Sequence, residues 1–233
     1  MNILQGLFPW EVLIMGLGAL LFVVMLIALA AYLIKGKSVG ALVVFFVLSL
    51  GMLGFPGLKS LQYKDGLITL EFNEQQLQQN PENMQAREGL SKALKAVEGR
   101  PADAKASLTI AKAQWSLGNE QAAVTGLQPA LGSQATTQDA TALRERIESV
   151  QKLEHLTAQA EQSPSAVDKT ELEQQLNKVT GQPVVNPRTA ATVARAHAVL
   201  GQNEQAVKNA RKALAIDPHL LVAPQLKAIL ERH

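Results

Sequence analysis

The chain of 233 residues contains no cysteine, which excludes disulfides, cysteine-ligated zinc and thiol chemistry, and leaves the redox compartment open. Aromatic residues make up only 4%, too few for a carbohydrate or base-stacking surface. There is no basic run: 22 basic and 20 acidic residues are spread along the chain for a net charge of +2, so no large field draws nucleic acid. Phosphate loop, nucleophile elbow and HExxH are all absent, and His155, His197, His219 and His233 are scattered without metal-ligand spacing. No enzyme, metal or cofactor is therefore expected. Glu145, Glu148 and Glu154 alternate with Arg144, Arg146 and Lys152 as a solvated helix face would.

The average composition hides a very apolar first quarter and a polar remainder. Val12 to Ile34 carries no charge over 23 residues. At about 1.5 Å per residue it exceeds a hydrocarbon core of about 30 Å. A cleaved signal peptide would have a basic start and a shorter apolar core, whereas the first ten residues hold no Lys or Arg. After Lys35-Gly36-Lys37 a second uncharged run, Ser38 to Leu58, is long enough to return, so residues 1–58 read as a transmembrane helical hairpin in a lipid bilayer. Gly16, Gly18, Gly40, Gly51 and Gly54 either let the two helices approach or reflect the frequency of glycine in membrane helices. Lys35 and Lys37 favour a cytoplasmic connection, while Lys59 and Lys64 count the other way; the balance expects both ends outside, with the C-terminal domain in the periplasm and the anchor in a bacterial inner membrane.

Residues 59–72 are expected to form a juxtamembrane β-hairpin. Asp65-Gly66 is the preferred pair for a type I′ turn, and Ile68, Leu70 and Phe72 alternate with polar residues after it. Such a lone hairpin needs a surface to cover it, either the membrane or the helical domain, or else it pairs between protomers.

From Asn73 to His233 Gly and Pro act as punctuation between helical patterns: Pro81 to Glu98, Ala102 to Leu117, Glu120 to Leu131, Asp139 to Gln162, Ser165 to Val179, Pro187 to Leu200, Glu204 to Ile216 and Leu221 to Arg232. The sequence Leu117-Gly118-Asn119-Glu120-Gln121-Ala122-Ala123-Val124 recurs as Leu200-Gly201-Gln202-Asn203-Glu204-Gln205-Ala206-Val207, each followed by a further alanine, Ala130 and Ala213.

These residues resemble the tetratricopeptide repeat family. In the last copy Ala194, Ala206 and Ala213 fall where that family crosses its helices, Gly201 sits in the turn, and Asp217-Pro218 closes the unit. The first copy keeps Ala111, Gly118, Ala123 and Ala130 in the same frame. It departs at its end, where Ala135 replaces the closing proline and Pro129 falls inside the second helix and should kink it. Both copies lack the family's aromatic residues, with Ser107, Gln114, Leu127, Ala190, His197 and Ala210 in those places. The resemblance implies an all-α solenoid over residues 73–233 with a concave face that holds a partner peptide or helix. A membrane-anchored tetratricopeptide protein is also similar to the subunit of bacterial cytochrome c maturation that presents apocytochrome, although that family separates its membrane helices by a long loop.

The same frame gives one candidate site. Lys105 and Lys112 occupy the positions in the first copy that Arg188 and Arg195 occupy in the last, and the family turns these positions toward the groove. Four cations there would suit an acidic segment or a C-terminal carboxylate of a partner protein, against the simpler reading of a soluble helix face. The expected function is a membrane-anchored scaffold or assembly factor, with a structural subunit of a membrane complex as the alternative. Nothing in the sequence fixes the oligomeric state.

Overall fold

The computed structural model describes residues 5–35, 40–163 and 167–231. The chain divides into two compact units, Met1–Ile68 with Lys95–Ala102, and Thr69–Leu94 with Asp103–His233.

The first unit is built on α1 (Pro9–Ile34) and on α2 (Gly40–Gln79), which starts here and continues beyond it. Both are long and apolar enough to cross a membrane. Leu13, Leu17, Leu20, Val23 and Ile27 of α1 and Val43, Val44, Phe45, Val47 and Leu48 of α2 are exposed, an arrangement that lipid rather than water accommodates. The helices meet where a Cβ on Gly18 would lie 2.8 Å from Cβ of Met52, so that contact requires glycine. Gly16, Gly51 and Gly54 face open space, and their number reflects composition rather than packing. The Phe22 and Phe46 rings meet at a tilt of 35° beside the crossing, with centroids 5.1 Å apart. The connection through Lys37 and Ser38 lies outside the described residues.

Where α1 begins, Glu11 is 1% exposed and accepts from the Phe8 amide at 3.0 Å, from Lys59 Nζ at 3.2 Å and from Arg100 Nη1 at 3.1 Å. Arg100 also donates to the Gly6 carbonyl at 3.0 Å. Lys59 lies over the Phe55 and Trp10 rings. The charged groups thus compensate a carboxylate that could not be buried alone.

The juxtamembrane β-hairpin expected over residues 59–72 does not form; the segment is helical, inside α2, and no strand occurs among the described residues. The buried positions are Ser60, Tyr63, Gly66, Leu70, Asn73 and Leu77, spaced by three and four, whereas Ile68 and Phe72 are exposed. A helix buries that stripe on one face and a strand would scatter it over two. Asp65-Gly66 favours a turn only where flanking strands can pair. Pro56 also lies within α2, at the cost of one backbone hydrogen bond.

The second unit is all-helical among its described residues. It takes up the end of α2 and most of α3 (Met84–Val97), followed by α4 (Ala104–Ser116), α5 (Glu120–Gly126), α6 (Gln128–Leu131), α7 (Thr137–Gln162), α8 (Lys169–Thr180), α9 (Pro187–Val199), α10 (Asn203–Ile216) and α11 (Ala223–Glu231). Asn73 of α2 fills the space in front of Gly89 of α3, where a Cβ would come within 2.7 Å of its side chain. The pattern expected to start at Ser165 begins at Lys169, with 164–166 outside the described residues. Pro129 interrupts the helix after α4: α5 ends at Gly126 and α6 starts at Gln128.

The two sequence copies are helix pairs, α4 with α5 and α9 with α10. Each first helix ends on a glycine with positive φ, +86° at Gly118 and +76° at Gly201. Around these, Gly118 N donates to Trp115 O and Asn119 N to Gln114 O, while Gly201 N donates to Ala198 O and Gln202 N to His197 O. Such a pair of hydrogen bonds satisfies the last carbonyls of the helix and needs the left-handed residue. Ala111 of α4, Ala123 of α5 and Ala130 of α6 in the first copy, and Ala194, Ala206 and Ala213 in the last, are fully buried. Small side chains are what permit such close helix packing.

Candidate functional site

The four candidate cations occupy three different surroundings. Lys105 is exposed and lies 3.8 Å from Glu71. Lys112 lies 3.8 Å from Asp139, in a cleft with Glu74, Trp115 and Arg146. Arg188 and Arg195 share a second cavity, of about 220 Å³, with Glu154, Thr192, Leu221 and Val222. Lys112 thus lies in one cleft, and Arg188 and Arg195 in another.

Arg195 is committed internally. It is buried at 8% exposure, and its Nε and Nη2 donate to the two carboxylate oxygens of Glu161 at 2.9 and 2.5 Å. This two-pronged bond pushes the guanidinium pKa above its ordinary value, with burial opposing. Arg188 differs. Asn186 caps the start of α9, accepting from the amides of Arg188 and Thr189 at 2.8 and 3.2 Å, and its Nδ2 donates to Trp115 O at 2.8 Å. The cap fixes the first turn and leaves the Arg188 side chain exposed, with no acidic partner among the described residues. Beside it Leu221 is 92% exposed.

Arg195 also lines a neighbouring cavity of about 420 Å³, with Glu161, Val199, Gln225, Ala228 and Ile229. The surface along α9 is thus a trough of two cavities, one mainly apolar with the Arg195–Glu161 ion pair in its wall, the other lined by Arg188, Glu154, Asp217 and His219 together with Leu220, Leu221 and Val222. No group of His, Asp or Glu side chains among the described residues is arranged to hold a metal ion.

Sequence reasoning missed three contributors. Glu161 carries no local signal because its partner is 34 residues away. Leu221 reads as the first residue of the last helical pattern, yet α11 starts at Ala223 and leaves it exposed. Arg87 looks like a surface charge on an amphipathic helix, yet it is buried and donates to the carbonyls of Pro81 at 2.8 Å, Ser116 at 3.0 Å and Val185 at 2.5 Å. Burial pushes its pKa down to about 10, with Asp217 opposing. It ties the start of α3, the end of α4 and the segment before α9 to one side chain. Compared with family models, curated proteins and solved structures, the chain finds no match.

Proposed function

We propose that the protein is a membrane-anchored interaction scaffold of tetratricopeptide-like helix pairs, which holds a segment of a partner protein in the trough along α9. The observation that carries this reading is the adjacency of Arg188, a cation without an acidic partner among the described residues, and Leu221, 92% exposed. An isolated exposed leucine is ordinary. A leucine at the mouth of a cavity beside an open guanidinium suits a peptide that offers an acidic group next to an apolar side chain. The two apolar helices anchor this module, in a bacterial inner membrane with the helical unit on the periplasmic side; Lys35 and Lys37 at the connection support that orientation.

The test is a photo-crosslinking residue at position 221 of the full-length protein, with exposed position 227, which lines neither cavity, as control. A partner trapped from position 221 alone should lose about tenfold in affinity on Arg188→Ala, the worth of one charge-assisted hydrogen bond. Equal crosslinking from both positions, or an Arg188→Ala protein that binds as before, overturns the reading.

A further inference from the structure

A second cleft in the helical unit, separate from the α9 trough, is lined by charges of both signs. Three helices each present one face to it. Glu74 and Gln78 stand four residues apart on α2, Lys112 and Trp115 three apart on α4, and Asp139 and Arg146 seven apart on α7, all spacings that put side chains on one side of a helix.

The cleft's hydrogen-bonding groups are under-used. Trp115 is 3% exposed, and its indole N–H has no partner. That donor is itself covered, so what the cleft offers a ligand are the charged side chains around the ring. Lys112 and Asp139 are 3.8 Å apart, an ion pair too long for a hydrogen bond, and both keep their bonding capacity. The Glu74 carboxylate takes one bond, from Gln78 at 3.3 Å. Arg146 spends one guanidinium nitrogen on the Pro183 carbonyl, and burial lowers its pKa, with Glu74 opposing.

Size and charge select the ligand class. The cavity holds about 190 Å³, roughly the room of six waters and below the range of sites for nucleotides or drug-sized cofactors. Two carboxylates and two cations cancel. A simple anion would satisfy Lys112 and Arg146 but leave Glu74 and Asp139 repelled, and a simple cation would do the reverse.

We propose that this cleft binds a small dipolar molecule with one carboxylate and one ammonium group, a free α-amino acid. Its carboxylate meets the donors Lys112 and Arg146 beside the Trp115 ring, and its ammonium meets Glu74 and Asp139. The proposal stands apart from the partner trough: neither Arg188 nor Leu221 takes part.

The chain has two tryptophans, so Trp10→Phe leaves Trp115 as the single indole and makes its emission a direct reporter. The full-length variant in detergent is titrated with each protein amino acid, with succinate as a probe carrying carboxylates alone and 1,4-diaminobutane as one carrying amines alone. Calorimetry on the unmodified chain repeats each titration. At least one amino acid should shift the Trp115 emission to saturation and release heat. Lys112→Met and Asp139→Asn should each weaken it about tenfold while far-ultraviolet circular dichroism stays unchanged. Absence of saturation by every amino acid overturns the proposal. So does binding of succinate or the diamine as tight as the best amino acid, or unchanged affinity in both folded variants.

Discussion

His197 Nδ1 lies 2.5 Å from Oε1 of Gln202, and the same link recurs in the first repeat copy, where Nδ2 of Asn119 donates to Oε1 of Gln114 at 2.7 Å. The residue types differ, but both bonds span a glycine turn, at Gly201 and at Gly118. Backbone and side chain therefore repeat together, which makes the turn a reproduced unit and its glycine a requirement.

Gly201→Ala should accordingly destabilise the protein by about 1–2 kcal/mol, the cost of a Cβ in left-handed backbone. Gly132, with φ of −79°, is the control. A Cβ there meets its nearest atom at 3.7 Å, and Gly132→Ala should be neutral or stabilising by up to about 1 kcal/mol. Urea unfolding of the full-length protein in detergent, followed by circular dichroism, checks both. Equal effects of the two substitutions would show that the turn conformation carries no strain.

Arg87 supplies bonds to three carbonyls that helix geometry leaves open. Arg87→Leu should cost about 3 kcal/mol, because the carbonyls of Pro81, Ser116 and Val185 lose their donors. Arg87→Lys should recover less than half, since one ammonium cannot copy the spread of a guanidinium. The same urea titration reads both, and a full rescue by lysine would contradict the multi-carbonyl role.

Near the start of α1, Glu11 compensates Lys59 and Arg100, whose side chains are 28% and 17% exposed. Glu11→Ala strands two partly buried cations and should lower the thermal stability of the detergent-solubilised protein by several degrees, more than Lys59→Ala, which leaves the Glu11–Arg100 pair intact. A melting temperature equal to that of the unaltered protein would remove the ion cluster from the account of the fold.

Lys212 gives a pH signature. Burial lowers its pKa from 10.5, Glu82 opposes, and Lys208 and Arg87 add to the lowering. Its folded value therefore lies below its unfolded one. Within the window between them the unfolded chain binds more protons, so this group's contribution to stability rises with pH up to about 10.5. Lys212→Met should raise the melting temperature at pH 7, and the gain should shrink as the pH approaches 10.5. Melting curves at neutral and alkaline pH test this, and a gain independent of pH would mean that it comes from packing alone.

Much of the helical unit was legible in the residues. The helix starts at Pro187 and Glu120, the break around Pro129 and the turns at Gly118 and Gly201 all follow from local backbone chemistry, and the buried alanines from the repeat. The segment 59–72 was misread because its alternating apolar residues and Asp-Gly pair satisfy a strand pattern over a short window. The helical spacing of Ser60, Tyr63, Gly66, Leu70, Asn73 and Leu77 emerges only over a longer one. The candidate site was legible as four cations, but not their fates.

By itself the sequence determined two apolar helices of membrane length and a chain of helices cut at glycines and prolines, because length, hydropathy and backbone preference act over a few neighbouring residues. Only the tertiary structure decided that Arg195 belongs to Glu161, that Arg188 stays open beside Leu221, that Arg87 lies inside, and that three helices set Trp115 among opposing charges. Those outcomes depend on partners tens of residues apart, whose pairing is set by how helices pack and leaves no period in the chain.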